Sequence, residues 1–324
     1  MLRRELIPPL FLLLVPLCLL LGLSLGSQSW SWLWQSDTGQ TVLWHIRLPR
    51  VLMAFLLGAV LAWAGVLIQG VVRNPLADPG IIGVAGGAAV GAALFLALLP
   101  TASAELQTLF AFAGAWLALW LVLKLGLSGS AMHAMSFLIL AGIAVNVMAS
   151  ALIGLLSYLA SDSSLRQITF WLLGSLGNAN WYWVSVLAAI LLAALCYWPQ
   201  RLRQLDALLL GDTEARSMGI EVAQLQQRTV VWVALMVSVA VSASGIIGFI
   251  GLVSPHIARL LTGASHRRVL PLAVLIGGCL MVLADTLARL LIAPAELPIG
   301  IVTSLLGAPV FIALLLREKR RLSW

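Results

Sequence analysis

Residues that could perform covalent chemistry are few in this 324-residue sequence. One string, Gly22-Leu-Ser24-Leu-Gly26, matches the G-x-S-x-G motif of hydrolases. That motif needs a strand-to-helix turn and a histidine partner, whereas Ser24 ends a leucine-rich run. The only lysines, Lys124 and Lys319, do not follow a glycine, so no phosphate-binding loop of the G-x-x-x-x-G-K-[ST] type is present. We expect no catalytic site, and any ATP that powers the protein must be hydrolysed on another polypeptide.

Patterns typical of metal ligands are also missing. The 4 histidines stand alone and none is followed by glutamate, which excludes H-E-x-x-H. Lone histidines near the ends of apolar runs, such as His266, are interpreted as interfacial residues. Cys18, Cys196 and Cys279 lie in or beside apolar runs without C-x-x-C pairing, and we interpret them as packing residues. Neither a metal site nor a cofactor is expected.

Acidic residues inside apolar runs would indicate coupling of transport to protons or sodium. Of the 12 acidic residues only Asp285 lies well within such a run, and Arg289 one helical turn later offers it a partner on the same face. The sequence therefore lacks an ion-relay path. This favours a permease driven from outside the bilayer over an ion-coupled secondary transporter, with an intramembrane enzyme as a weaker third alternative.

The composition places the chain in a membrane. It is 61% hydrophobic and 10% charged, against about 25% charged in soluble proteins, and its mean hydropathy is +1.05. The net charge of +7 does not indicate nucleic-acid binding, because the basic residues punctuate apolar runs and do not form one patch. We predict an all-α polytopic membrane protein with a single domain, residues 1–324.

A helix that crosses about 30 Å of hydrocarbon needs about 20 apolar residues. The sequence predicts ten spans, with both termini in the cytoplasm, and this topology puts 15 of the 19 basic residues inside, as the positive-inside rule requires. The four outside are Arg47, Arg50, Arg166 and Arg289. The predicted spans are Ile7 to Leu25, Val51 to Val71, Ile81 to Leu99, Leu106 to Leu123, Phe137 to Tyr158, Val184 to Tyr197, Val230 to Ile250, a short Pro255 to Leu261, Val269 to Leu291 and Ile299 to Leu316.

Glycines predict where helices approach each other closely. Gly83, Gly87 and Gly91 form a doubled G-x-x-x-G, which lets helix backbones pack without intervening side chains. This pattern marks an interface in any polytopic protein and identifies no substrate.

Two further stretches suggest an inverted repeat. Residues 65–75 and 245–255 each run from a glycine to a proline ten residues later, near the end of a span, in opposite orientations. The match is short, and chance similarity remains an alternative. Gly245, Gly248 and Gly251 should weaken the end of the preceding span, where Pro255 prevents helix continuation, and a broken or re-entrant segment is expected there.

Several strings together resemble the integral membrane permeases of type II ABC importers, which take up iron chelates (ferric siderophores and haem) and vitamin B12. The resemblance implies ten helices per subunit, a homodimer around one central path, and two cytoplasmic ATPase subunits. The strings follow the family's order along nearly the whole chain: HIRLPR at 45–50, RNPLADPGIIGV at 73–84, LRQITFWLLGSLG at 165–177, LGDTEARSMG at 210–219, GIIGFIGLVSPHIARL at 245–260, HRRVLP at 266–271 and ELPIGIVTSLLGAP at 296–309.

The resemblance assigns a docking role to Arg47, Arg50 and Arg289. In similar permeases the corresponding arginines receive two glutamates of a periplasmic binding protein. These residues are three of the four basic residues outside, and a guanidinium suits bidentate carboxylate binding. Alternatively, the arginines extend to lipid headgroups and Arg289 merely neutralises Asp285.

The resemblance also implies two cytoplasmic sites. The segment of about residues 199–228 would dock on the ATPase, with Asp212 as helix N-cap, Ala215 keeping the contact face small and Gly219 ending the helix; a solvated loop is the alternative. The inner mouth of the path would be closed by three residues, although the turn at Pro75 and Pro79 would be needed even without a gate. The coupling residues are Gly211, Asp212, Glu214, Ala215, Arg216 and Gly219, and the gate residues are Asn74, Leu76 and Ser136.

These expectations combine into one functional prediction. The chain would be the permease subunit of an ATP-driven importer that moves an iron chelate, a ferric siderophore or haem, across a bacterial inner membrane. Its partners would be a cytoplasmic ABC ATPase, a periplasmic substrate-binding protein, a second permease copy or a related permease, and membrane lipid, but no nucleic acid. A vitamin B12 permease is the alternative within the family, and an ion-coupled secondary transporter is the alternative from another class.

Overall fold

The computed structural model describes residues 7–25, 36–99, 101–126 and 134–322, and within these ranges the regular secondary structure is helical throughout. A π-helical turn, Leu43–Arg47, joins α2 to α3, and a 3-10 turn, Pro79–Ile82, precedes α4. The α-helices are α1 (Ile7–Ser24), α2 (Asp37–Val42), α3 (Leu48–Val72), α4 (Val84–Leu98), α5 (Ala104–Gly126), α6 (Ala134–Leu159), α7 (Asp162–Leu172), α8 (Trp181–Tyr197), α9 (Leu202–Leu208), α10 (Asp212–Ser217), α11 (Val222–Ser244), α12 (Ile250–Thr262), α13 (His266–Leu290) and α14 (Ile299–Leu322).

Each of the ten predicted spans overlaps one of these helices. By length and composition, 5 helical segments in the described part of the chain could cross a membrane, or 6 if the pair α8 and α9, bent by 71°, counts as one span. The other predicted spans fall on shorter helices, such as α4 with 15 residues and α12 with 13. The chain is therefore a multi-pass membrane protein, and the count of ten crossings stays a prediction.

Helix α3 occupies the centre of the bundle. In the segment Asp37–Val72, 83% of the most apolar window is buried, whereas in α5 and in Met135–Leu159 only 28% is buried. A helix that is apolar on all sides and buried on all sides must pack against protein around its whole circumference. The exposed leucines of α5 and α6 instead face outward, where a bilayer would be their solvent.

Glycine contacts hold α3 against its neighbours. A Cβ at Gly58 would overlap the carbonyl group of Gly277 in α13, and a Cβ at Gly65 would overlap the carbonyl oxygen of Gly251 in α12. These backbones touch directly, as expected where small residues replace a hydrophobic drive for helix association.

The predicted glycine stripe is confirmed in part. Gly87 packs against Gly114 of α5, and Gly91 packs against the carbonyl of Phe110. Gly83 was wrongly included in the stripe, because it precedes α4 with φ +87° and ends the 3-10 turn. A left-handed conformation of this kind favours glycine for a reason unrelated to helix packing.

The boundary between α11 and α12 corrects two predicted spans. Helix α11 ends at Ser244 and not at Ile250, and α12 begins at Ile250 and contains Pro255 in its interior. The glycine-rich segment 245–249 breaks the chain, and Gly245 adopts φ +72°. The break therefore falls at the predicted glycines Gly245 and Gly248, whereas Pro255 lies inside α12.

Pro255 removes one backbone hydrogen bond from α12. The proline nitrogen cannot donate to the carbonyl oxygen of Gly251, and that oxygen lies against Gly65 of α3. Gly65 is internal to α3, whereas Gly245 caps α11. The two glycines aligned in the inverted repeat thus hold different positions in their helices, and the repeat remains a prediction.

Candidate functional site

An ion-pair cluster lies where α3 begins and α13 ends. The Nε of Arg50 donates to Oδ1 of Asp285 at 3.0 Å, and the Nε of Arg289 donates to Oδ2 of the same carboxylate at 3.0 Å. The Asp285 side chain is only 2% exposed. The spacing prediction that Asp285 and Arg289 pair along one helix face is confirmed, and Arg50 adds a second cation from another helix. Asp285 is thereby neutralised on both oxygens, which disfavours an ion-relay role.

The carboxyl end of α1 accepts the remaining arginine donors. Arg47 donates to the carbonyl oxygen of Leu23, and Arg289 donates to those of Gly22 and Leu25, each at 3.0 Å. The last carbonyls of a helix have no partner within the helix and carry partial negative charge, so cations are stabilising there. The cluster thus joins α1, α3 and α13 at one end of the bundle.

Glu296 is the exposed member of the cluster, and it was not among the predicted site residues. Its two carboxylate oxygens accept from Nη1 and Nη2 of Arg50 at 3.0 and 2.9 Å. The Glu296 side chain is 48% exposed, against 12% for Arg50. Glu296 lies just before α14, 246 residues from Arg50 in the chain. Its position at the outer end of a predicted span was the available signal.

A cavity of about 280 Å³ adjoins this ion pair. Arg50, Asp285 and Glu296 line it together with the connecting segments 174–176 and 297–299. Hydrogen bonds from Ile299 to the carbonyl of Gly174 (3.1 Å) and from Gly300 to that of Leu173 (3.0 Å) tie the two segments together. Space therefore exists beside the guanidinium of Arg50.

The structure brings the three predicted docking arginines to one end of the bundle, but it does not leave them extended. Arg47 is 8% exposed as a residue, and the side chains of Arg50 and Arg289 are 12% and 11% exposed. They are held by carbonyl and carboxylate groups of the chain itself, which disfavours the alternative in which they reach for lipid headgroups. Their role in docking stays a prediction.

The predicted coupling segment forms the short helix α10 at the other end of the bundle. The prediction that Asp212 is the N-cap was wrong. Asp212 is the first helical residue, and Gly211 is the N-cap, with φ +125°. This backbone conformation suits glycine and would strain aspartate, which moves the helix start by one residue.

Gly219 ends α10 as predicted. It adopts φ +80°, its N–H donates to the carbonyl of Arg216 at 2.9 Å, and the N–H of Ile220 donates to that of Ala215 at 3.1 Å. This pair of bonds is the Schellman motif, which satisfies the last carbonyls of a helix.

The faces of α10 differ from the prediction. Ala215 is fully buried against the chain itself, so it cannot form the contact face for a partner. Glu214, Arg216 and Gly219 are exposed. Large apolar side chains are exposed on the same segment: Leu209, Leu210 and Met218. These three apolar side chains, together with Glu214 and Arg216, form the surface available to another protein.

Two polar contacts join α9 and α10 to the rest of the bundle. Arg73, at the carboxyl end of α3, lies 3.2 Å from Asp212. Asp206 of α9 accepts from the backbone N–H and ring Nδ1 of His266, both at 2.7 Å, and from the hydroxyl of Ser265 at 2.9 Å. Although burial opposes its ionisation, the hydrogen bonds from His266 and Ser265 hold the pKa of Asp206 below its ordinary value.

The interpretation of His266 as an interfacial residue was wrong. It is 1% exposed, pairs with Asp206, and fills the space left by Gly70 of α3. The sequence offers no signal for this pairing, since Asp206 and His266 are 60 residues apart.

The predicted gate residues lie at the same end as α10. Asn74 accepts the N–H of Leu76 through its side chain at 2.9 Å, and Ala77 donates to the carbonyl of Asn74 at 3.1 Å, which closes the turn around Pro75. Ser136 is exposed in the first turn of α6. Within the described ranges, no hydrogen bond joins Ser136 to Asn74 or Leu76, and their joint role as a gate stays a prediction.

Polar side chains tether this turn to the neighbouring helices. Gln69 of α3 donates to the carbonyl of Ala77 at 3.2 Å and accepts from Arg259 of α12, while Asn146 of α6 donates to the carbonyl of Gly80 at 3.0 Å. The sequence left these groups without a role. They serve as packing hydrogen bonds that hold the turn in place.

Comparisons with known proteins agree with this architecture. The model of the FecCD transport family matches residues 10–317. The chain is 42% identical to the hemin transport system permease protein HmuU of Yersinia pestis, over 97% of this chain and 96% of the relative. It is 40% identical to the vitamin B12 import system permease protein BtuC of Klebsiella pneumoniae, over 98% of this chain and 95% of the relative.

A solved structure is also similar. It is described as an inward-facing conformation of a metal-chelate type ABC transporter, and it superimposes with a TM-score of 0.88 at 34% identity, covering 96% of this chain and 99% of the other.

Proposed function

Because this chain belongs to the FecCD transport family, we propose that it is the permease subunit of an ABC importer that carries an iron chelate across a bacterial inner membrane. Its partners in this proposal are a cytoplasmic ABC ATPase, a periplasmic binding protein and a second permease copy. Both of its termini lie in the cytoplasm. The chain itself performs no covalent chemistry, and ATP is hydrolysed on the partner subunits.

The observation that carries the proposal is the placement of two kinds of site at opposite ends of one helix. Helix α3 has 25 residues, which is about 37 Å at 1.5 Å per residue. Arg50 at its start belongs to the basic cluster, and Arg73 at its end pairs with Asp212 of α10. The buried central helix α3 thus connects the outer face, where the substrate would be delivered, to the cytoplasmic face, where the ATPase would bind.

At the outer end, the basic cluster would receive acidic side chains of the binding protein. Arg50 already holds a carboxylate in bidentate geometry, which demonstrates that its guanidinium can form the contact that docking requires. Arg47 and Arg289 contribute further positive charge nearby.

At the inner end, the segment around α10 would bind the ATPase through the exposed side chains that flank the helix, Leu209, Leu210 and Met218, and through the charged residues of α10. Movement of α10 would reach the turn that contains Asn74 and Leu76 through the ion pair of Arg73 with Asp212. It would reach α13 through Asp206 and His266. Binding of ATP by the partners would thereby shift the permease between outward-open and inward-open states.

The substrate is the finer part of the proposal. The relative named for hemin is 42% identical to this chain, and those named for vitamin B12 are 36–42% identical, so identity alone does not separate the two substrates. The sequence strings favour an iron chelate, and the hemin relative supports haem within that class, with a ferric siderophore second. Vitamin B12 is the alternative to an iron chelate, and the relatives named for vitamin B12 import support it.

Substitution of the outer arginines tests the docking part. Charge reversal at Arg50 would place a carboxylate beside buried Asp285, so neutral variants give a cleaner test. We expect Arg47→Gln with Arg50→Gln to abolish uptake and association with the binding protein, while association with the ATPase is retained. Arg166→Gln, at an exposed arginine of α7, is the matched control. Normal uptake by the double variant would refute docking at this cluster.

Growth tests identify the cargo. A strain that lacks this gene would be supplied in turn with hemin, with individual ferric siderophores, or with vitamin B12 under conditions that require it. The proposal expects the plasmid-borne gene to restore growth on an iron chelate. Restoration on vitamin B12 alone would replace the iron-chelate assignment.

A further inference from the structure

Glu296 occupies the bidentate face of Arg50 that an incoming carboxylate would need. Both terminal nitrogens of Arg50 donate to Glu296, at 3.0 and 2.9 Å, while the Nε is turned inward to Asp285. The second fork of the guanidinium, formed by Nε and Nη2, is occupied by Oδ1 of Asp285 at 3.0 and 2.9 Å. An acidic side chain of a partner can therefore form a bidentate pair with Arg50 only after Glu296 has left.

From this geometry we infer that Glu296 is an internal substitute for the partner's carboxylate, exchanged when the binding protein docks and restored when it leaves. The inference rests on the proposed function, since it needs the basic cluster to be the docking site. It assigns to Glu296 a role in setting the affinity and reversibility of docking.

Exposure distinguishes Glu296 from the other acidic member of the cluster. Asp285 is 2% exposed and shared by two arginines, whereas the Glu296 side chain is 48% exposed and contacts only Arg50 among the described ion pairs. A half-exposed ion pair contributes little to stability, because water competes for both charges. Glu296 can therefore leave at small cost, and Asp285 cannot.

Charge balance supports the same role. The cluster contains three arginines, Asp285 and Glu296, and so carries a net charge of +1. Without the carboxylate of Glu296 its net charge is +2, and the cluster attracts an acidic partner more strongly. Arg50 remains compensated by Asp285 in either case, so exchange of Glu296 leaves no buried unpaired charge.

The adjoining cavity provides room for the exchange. It has about 280 Å³ and borders Arg50 and Glu296 together with the segments 174–176 and 297–299. This space lies beside the guanidinium of Arg50, where the incoming carboxylate must bind.

The test measures association of the permease complex, in detergent or nanodiscs, with its immobilised periplasmic binding protein. We expect Glu296→Gln and Glu296→Ala to bind roughly two- to fivefold more tightly, the range that corresponds to one exposed ion pair. The association rate should rise, since removal of a rim charge of the same sign as the partner acts mainly on encounter. Glu105→Gln removes an equal charge from the exposed start of α5 and should leave binding unchanged.

Two outcomes overturn the inference. Unchanged binding by both Glu296 variants would show that Glu296 does not compete, and weaker binding would show that Glu296 itself contacts a basic group of the partner. Failure of the underlying proposal has a different signature, because Arg47→Gln with Arg50→Gln would then keep normal binding. A loss of folding is detected separately by the thermal unfolding midpoint, which the Glu296 variants should leave within a few degrees of wild type.

Discussion

Arg73 and Asp212 lie 3.2 Å apart and connect the end of the central helix α3 to the first residue of α10. The side chains are 44% and 29% exposed, so their pair stabilises the fold by about 1 kcal/mol or less. Its position is more important than its energy, since it is a direct polar link between the predicted coupling helix and the predicted gate turn.

We expect Arg73→Ala to lower ATP-driven uptake at least severalfold while leaving the thermal unfolding midpoint nearly unchanged. The charge swap of Arg73→Asp with Asp212→Arg should restore part of the uptake, because it restores the pair. Arg203→Ala, at an exposed arginine of α9, is the matched control. Full uptake by Arg73→Ala would show that the link does not transmit movement.

Asp285 should be the most sensitive carboxylate for stability. Asp285→Asn would leave Arg289 without its ionic partner in a buried setting, and breaking such a pair costs about 3–5 kcal/mol. Thermal unfolding in detergent would report the loss as a clearly lowered midpoint. Glu105→Gln, at an exposed carboxylate, should have almost no effect, and an equally small effect for Asp285→Asn would contradict the assigned charge cluster.

The close contact between α3 and α12 should leave no room for a methyl group at Gly65. Gly65→Ala would push its Cβ into the carbonyl oxygen of Gly251, and overpacking of this kind costs about 1–3 kcal/mol. Gly154→Ala in α6 is a matched control, because no atom lies within 4 Å of its added Cβ and alanine is the better helix former. Equal unfolding midpoints for the two variants would refute the close approach.

The hydrogen bonds by which Asp206 joins α9 to α13 should be retained down to acidic pH. The folded-state pKa of Asp206 is below the ordinary value of 3.8, so its ionised form stabilises the fold fully above that pH and loses the contribution as pH falls below it. Asp206→Asn should therefore unfold at a lower temperature than wild type from pH 7 down to about pH 4. The difference in unfolding temperature between wild type and variant should become smaller below about pH 4. A decrease of this difference between pH 7 and 5 would contradict a lowered pKa of Asp206.

The sequence alone predicted contacts that depend on local spacing. Asp285 pairs with Arg289 one turn away, Gly87 and Gly91 pack one face of α4, and Gly219 ends α10. In each case the helix period or a short backbone motif determines which residues meet.

Contacts between distant parts of the chain were not predictable from one sequence. The partners of Arg50 are 235 and 246 residues away, and only tertiary packing decides that α3, α13 and the residue before α14 meet. The same holds for Asp206 with His266.

Reconstitution tests the central claim most directly, namely that this permease depends on partner proteins for its energy and its cargo. The purified chain would be placed in liposomes with or without its ATPase, its binding protein and enclosed ATP, and accumulation of the labelled iron chelate would be measured. The account predicts accumulation only when all three additions are present. Accumulation driven by a proton or sodium gradient with the chain alone would contradict it.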